Sequence, residues 1–436
     1  MKKKVLSTLL VGAMAASMFA GCTPDKTTTN NGAVTPDGTT TAAQVERPKL
    51  EDYGSGEIKI WVADAVVDLT KEYAEKFIAE HPEYAGYTIL VEANGEDVAA
   101  NNVLTDLSAA ADIFGFPQDQ LSRLVSAGAL ASFGGYYANS VTTSNDAGSV
   151  AAAKVGDKLY AFPYTSDNGY FVYYDKSVIK ESSLNSLEAM IADCEAAEKN
   201  FYFDIANGWY QPAFFFATEC ELTYDTNTDG KYTKCNIDYD SEKGLVAIKE
   251  INDVVKSPFF VNGSDAGKAS NVGFMVCGTW VKDTMIQMLG DNYATCKLPE
   301  FKGSDGKNYQ LSGFGGFKIM GVKPQENQGK QLVCLHLAEY LTSTEVQLAR
   351  FEEAAFGPSN LAAQQDPAVQ ADEALASLGA QLAYTIPQGQ YPGEYWSRAT
   401  ALYDDVFAGG GKLTDDELKA LLKQFQTDCE SYCNAE

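Results

Sequence analysis

Histidine is nearly missing. His81 and His336 are the only two in 436 residues, so a multi-histidine metal site cannot form and a Ser-His or Cys-His catalytic centre has few ways to assemble. Positive charge is also scarce: 33 Lys and Arg face 59 Asp and Glu, a formal net charge of −26. A chain this acidic offers no surplus for a phosphate backbone, which excludes nucleic acid as a partner. No Cys-x-x-Cys pair exists, and the nine cysteines, at 22, 194, 220, 235, 277, 296, 334, 429 and 433, are scattered, so no zinc cluster is expected. Beyond the N-terminal segment no run reaches about 18 apolar residues, the length of a membrane span. Aromatic residues, by contrast, are abundant: 24 Tyr, 22 Phe and 4 Trp.

Met1-Lys2-Lys3-Lys4 is a positive leader, Val5 to Phe19 an apolar stretch too short to span comfortably, and Phe19-Ala20-Gly21-Cys22 resembles a bacterial lipobox. Residues 1–21 therefore read as a signal peptide and Cys22 as the lipid-modified mature N-terminus. Residues 22–55 are rich in Thr, Asn, Gly and Pro and poor in large apolar residues, the composition of a flexible tether. The expected location is the extracellular face of the bacterial cytoplasmic membrane (the periplasmic side where a second membrane exists), with membrane contact through the anchor only. The eight remaining cysteines are an even number in an exported chain, which permits disulfides but leaves their pairing open.

The rest of the chain, enough for two or three domains, alternates strand and helix. Gly56 to Val62 alternates at period two and Leu69 to His81 at helical spacing. Tyr87 to Val91, Asn101 to Ala110, Asp112 to Phe116 and Gln118 to Ala127 continue the strand–helix rhythm. This predicts an α/β fold with a mostly parallel sheet flanked by helices, whose ligands bind beyond the strand C-termini. Trp61 to Asp64, Glu96-Asp97 and Phe116 to Gln120 fall on that rim. Lys158 to Tyr164 and Tyr170 to Tyr174 read as two further β runs, and the glycines of Gly313 to Phe317 as tight turns. Asp225-Thr226-Asn227-Thr228-Asp229-Gly230 is half of a calcium loop, but Asn236 stands where the bidentate Glu belongs, so a hairpin turn is expected.

Several short motifs recur in order: Ile58-Lys59-Ile60-Trp61, Ala111-Asp112-Ile113, Gly156 to Pro163, Tyr173-Tyr174-Asp175-Lys176, Gly278-Thr279-Trp280 and Leu298-Pro299. In this order and spacing the sequence resembles the solute-binding lipoproteins of ATP-binding-cassette (ABC) sugar importers, in the maltose/maltodextrin-binding branch. The resemblance implies a two-lobed periplasmic-binding-protein-like fold with about three hinge crossings, near Tyr164–Asn168, Leu311–Gly315 and Ala363–Pro367. The N-terminal lobe would comprise 56–165 plus 314–365, and the C-terminal lobe 166–313 plus 366–436. It implies capture of an oligosaccharide, best matched to α-1,4-glucans, and delivery to membrane permease subunits by a monomer without a cofactor.

Sugar recognition needs aromatic faces for the C–H face of a pyranose, and carboxylates or amides for its hydroxyls. Carried over position by position, the resemblance points to Phe116, Trp209, Trp280 and Trp396 as stacking residues, with Asp119 and Asp167 as hydroxyl acceptors. Gln120 stands where the family has Arg. Trp61, Glu96, Asp97, Tyr210 and Tyr395 complete the candidate set, with Glu96 expected at the rim. Two other classes stay open: a surface lectin, and a secreted glycosidase using the carboxyl pair Asp119 and Asp167.

Overall fold

In the computed structural model, which describes residues 46–227 and 231–433, Ile58, Ile60 and Val62 point into one core from the strand Gly56–Val62. That strand pairs in parallel with Tyr87–Ala93 and with Ile113–Pro117. Helices Val67–Glu80 and Glu96–Thr105 make the return connections. The sheet then grows with opposite polarity: Phe314–Val322 lies antiparallel to both Ile113–Pro117 and Ala161–Asn168. Ile386–Pro387 joins the start of Phe314–Val322 in parallel.

A second sheet runs in the order Phe260–Val261, Asn200–Tyr202, Val272–Cys277, Phe171–Asp175, Tyr293–Cys296. It is covered on both faces, so its strands alternate between two apolar clusters. Tyr170 and Val172 join a large one with Phe214 and Leu422, while Phe171 and Tyr173 join a smaller one with Met275 and Met285. Both sheets are mixed where a mostly parallel arrangement was expected. The antiparallel pairs belong to strands beside a passage of the chain from one sheet to the other, where the chain arrives running backwards. Those passages lie between Asn168 and Phe171, and between Leu311 and Phe314. A third links helix Thr344–Ala354, whose Val346 is in the first core, to helix Glu373–Leu382, whose Ala374 and Leu378 are in the second lobe's smaller cluster.

Three local differences from expectation have physical causes. The second helix begins at Glu96, five residues early, because Gly95 takes the N-cap position and Glu96 and Asp97 in its first turn suit the positive end of a helix. It stops where the Asp106 side chain accepts from the amides of Ser108 and Ala109. The glycines at 313–317 open a strand rather than a turn. Residues 46–55, read as tether, lie on the first lobe: Arg47 pairs with Glu339 at 3.0 Å, and Tyr53 is buried with its carbonyl accepting from the Tyr87 hydroxyl.

Cys22 and the rest of 1–45 lie outside the described residues, as do 228–230 of the acidic turn. The flanks of that turn, Leu222–Thr226 and Tyr232–Ile237, form an antiparallel hairpin. Among the described residues the eight cysteines are free thiols, no group of three or more His, Cys, Asp or Glu could hold a metal, and no helix is long and apolar enough to cross a membrane.

Candidate functional site

A cleft of about 970 Å³ opens between the sheets. One wall comes from the first lobe: the N-terminal turn of helix Glu96–Thr105, the turn Pro117 to Gln120, Arg123 and Lys318. The other comes from the second lobe: Asn207, Trp209, Tyr210, Thr279, Trp280 and Trp396. Asn168 and Gln388 lie between them.

Aromatic surface dominates the second wall. Trp209 and Trp280 have ring centroids 5.8 Å apart, and Trp209 is held edge-on by Tyr170 and Tyr210. The Trp280 ring lies directly on the backbone of Gly278; a Cβ there would stand 2.0 Å from it, so glycine is required. Gly208 likewise lets the helix carrying Tyr395 and Trp396 approach closely. Trp280 remains 36% exposed despite its size, so its face is available. Rigid indole faces of this kind supply large contact area at small entropic cost.

Polar groups concentrate on the first wall. Asp119 is 1% exposed, and burial pushes its carboxyl up to about 7, against the opposing hydrogen bond from Gln120 and the charge of Arg123. The Gln120 amide donates to Asp119, while its Oε1 accepts from Arg123 Nη1 at 2.6 Å. Arg123 thus reaches the carboxylate through Gln120. The cation absent at position 120 reappears one helical turn later and acts at second remove. At the base, Lys318 Nζ is 3.8 Å from Glu96 Oε2 and 5.2 Å from the Trp280 ring centroid, linking a carboxylate of one wall to an indole of the other by a cation–π contact.

The profile of bacterial extracellular solute-binding proteins matches residues 71–377. The chain belongs to that family. Among solved structures similar to this solute-binding protein, one with acarbose is 29% identical, with a TM-score of 0.77, covering 87% of this chain and 99% of that one. The maltodextrin binding protein MalE1 from L. casei BL23, without ligand, is 21% identical with a TM-score of 0.70, covering 86% and 99%. The GacH receptor of Streptomyces glaucescens, solved unliganded and with acarbose, is 18% identical at a TM-score of 0.70, covering 86% and 99%. No curated protein matches the chain.

Of the residues expected at the site, the solute-binding protein brings Glu96, Asp97, Asp119, Gln120, Trp209, Tyr210, Trp280 and Trp396 to the cleft. Two differ in setting. Glu96 is 6% exposed, at the base rather than the rim. Tyr210 offers its ring, with its hydroxyl turned to Cys277 Sγ. Four residues are placed elsewhere. Phe116 is fully buried beside Phe114, because every side chain from Ile113 to Phe116 in this central strand is covered; the cleft wall begins only at Pro117. Tyr395 is fully buried, its hydroxyl donating to the Gly208 carbonyl. Trp61 packs against the first core and donates to Glu92 on the neighbouring strand. Asp167 is 2% exposed, and its Oδ2 accepts from Thr279 Oγ1 and the Gly357 amide at 2.6 and 2.7 Å. It is a strut between lobes. Asp119 and Asp167, the pair a glycosidase would need, therefore do not face one space. Sequence reasoning missed Asn101, Arg123, Asn168, Asn207, Lys318 and Gln388 as lining residues. Asn207 stands two residues before Trp209 and Gln388 eight before Trp396, but no local pattern marks either as lining the cleft.

Proposed function

We propose that this solute-binding protein captures oligosaccharides, specifically α-1,4-glucans of the maltodextrin type, and delivers them to the permease subunits of an ABC importer. The carrying observation is the convergence of three indoles, Trp209, Trp280 and Trp396, with buried carboxylates in one interlobe cleft. Indoles cover the C–H faces of successive pyranose rings, and Glu96, Asp119 and the neighbouring amides take the hydroxyls. The 29%-identical structure with acarbose supports the choice of sugar. The lobes, divided near residues 165, 313 and 365, close over the ligand by hinge motion. The protein acts as a monomer without a cofactor and is held at the outer face of the cytoplasmic membrane by a lipid on Cys22.

A thermal-shift panel of glucans, xylans, galactans and mannans tests the substrate, because a tight ligand raises the melting temperature with the logarithm of its concentration over Kd. Calorimetry with maltotriose and maltotetraose then gives affinity; no heat at millimolar maltodextrin, alongside binding of another glycan, overturns the glucan assignment. Trp280→Ala is expected to weaken maltotetraose binding about 30-fold or more, roughly 2 kcal/mol, with the circular dichroism spectrum unchanged. Normal affinity in that variant would remove Trp280 from the site. For the anchor, Cys22→Ala should release the protein into the medium; a variant that still pellets with membranes refutes lipidation there.

A further inference from the structure

Gln388 is buried immediately after the short strand Ile386–Pro387. Its side chain touches three separate parts of the chain. Nε2 donates to Asp119 Oδ1 at 2.7 Å, while Oε1 accepts from Asn168 Nδ2 at 3.0 Å and from Trp209 Nε1 at 3.2 Å. Its backbone is fixed as well. The amide donates to the Gly315 carbonyl at 3.0 Å, and the carbonyl accepts from Gln118 Nε2. Gln118 is itself anchored by the Phe317 amide at 2.9 Å, and Gln390 ties the same turn through Gln118 O and the Ser122 amide. A carboxamide has a donor end and an acceptor end. Here the donor end faces a first-lobe carboxyl and the acceptor end a second-lobe indole. Glutamate would set an acceptor against Asp119, and leucine would satisfy neither neighbour.

We propose that Gln388 is a positioning residue that couples the two walls of the cleft, so that the state of the Asp119 carboxyl sets the orientation of the Trp209 indole. Gln120 and Arg123, from its own turn and the following helix, act on the Asp119 carboxyl, and its charge in turn adds to burial in pushing up the hydroxyls of Tyr232 and Tyr391 from the second lobe. The carboxyl titrates near neutrality, so the coupling operates in the ordinary pH range. Protonation removes the negative acceptor that orders the Gln388 amide; the indole then loses its fixed partner. The affinity consequence rests on the sugar-binding reading, but the coupling does not.

The test uses ¹⁵N-tryptophan-labelled protein without ligand. The Trp209 indole N–H signal, identified as the one lost in Trp209→Phe, is followed through neutral pH. It should titrate with a midpoint near 7, and Asp119→Asn should abolish the titration. Gln388→Leu should displace the signal and also abolish its pH response. Gln388→Glu keeps the acceptor for the indole, so the signal should hold near its wild-type position at low pH, where two facing carboxyls share a proton, and shift as both ionise. If Gln388→Leu does not fold by circular dichroism, Asp119→Asn and Gln388→Glu decide. A wild-type signal that does not titrate, or a response unchanged in the Gln388 variants, overturns the proposal. With maltotetraose, Gln388→Leu should bind about tenfold more weakly, and the fall of affinity on acidification should begin at higher pH, because the carboxylate has lost a donor. A wild type that binds no sugar of the panel refutes the sugar reading and leaves the indole titration to judge the coupling.

Discussion

Replacing Arg350 by Leu is expected to lower the unfolding free energy by about 3–5 kcal/mol, the usual cost of removing one member from a buried charge cluster. Arg350 lies on helix Thr344–Ala354 and is 2% exposed. Its guanidinium carbon is 3.7 Å from the centroid of the Tyr164 ring, and Nη2 donates to the Leu341 carbonyl at 2.7 Å. Burial works against its charge, and Tyr164, Glu96 and Asp167 work for it. Both carboxylates are buried, and Glu96 Oε1 and Asp167 Oδ1 have no hydrogen-bond partner among the described residues. Without the guanidinium, Lys318 still serves Glu96, but Asp167 keeps only the neutral donors Thr279 and Gly357. Arg350→Lys should recover only part of the loss, since an ammonium cannot stack flat on Tyr164. Urea unfolding at neutral pH measures this; a loss below about 1 kcal/mol would show that the cluster is not held by this charge. The variant that remains folded should bind maltotetraose more weakly, because Glu96 belongs both to this cluster and to the cleft.

The second large effect has the opposite sign. Glu250, on helix Glu242–Val254, is buried, and its carboxyl is pushed up to about 8, first by burial and then by Glu188 and Asp253. The folded state therefore holds its proton more tightly than the unfolded chain between about pH 4.5 and about pH 8. Stability falls as pH rises through that window and is level on either side of it. Glu250→Gln mimics the protonated acid. It should leave stability unchanged at the acid end and raise it by about 2–4 kcal/mol at about pH 9, one pKa unit being worth about 1.4 kcal/mol. Parallel urea titrations at the two pH values check this. Equal stabilisation at both would mean that packing, not ionisation, is responsible.

Much of the architecture could be read from local pattern. Period-two alternation marks Gly56–Val62 because one face of that strand is covered more completely than the other, and the indoles of Trp209 and Trp280 stand in short turns, and that of Trp396 on the first turn of a helix, where neighbouring glycines, Gly278 and Gly208, leave room to seat them. Other features depend on residues far away in sequence. Nothing near Asp167 announces that Thr279 and Gly357 will close over it, and nothing near Phe116 announces that Gly321 will bring the strand Phe314–Val322 across its ring. Position along a strand locates the cleft rim but does not say which side chains a third element covers. Lys318, Arg123 and Gln388 were hidden for the same reason: each is set in place by a partner on another element.

The sheet order constrains how the protein is made. Phe314–Val322 is the strand that joins Ile113–Pro117 to Ala161–Asn168, so the first lobe lacks an inner strand until nearly three-quarters of the chain has been synthesised. Until then residues 56–168 carry an open edge on Ile113–Pro117 and an incomplete core, a state prone to capture by other strands. The residues from Phe171 to Leu311, by contrast, bring all five strands of the second sheet with them as one continuous insertion. A chain synthesised from its N-terminus thus holds its first lobe unfinished until long-range pairing, slow by its loop-closure entropy, commits it to the final form.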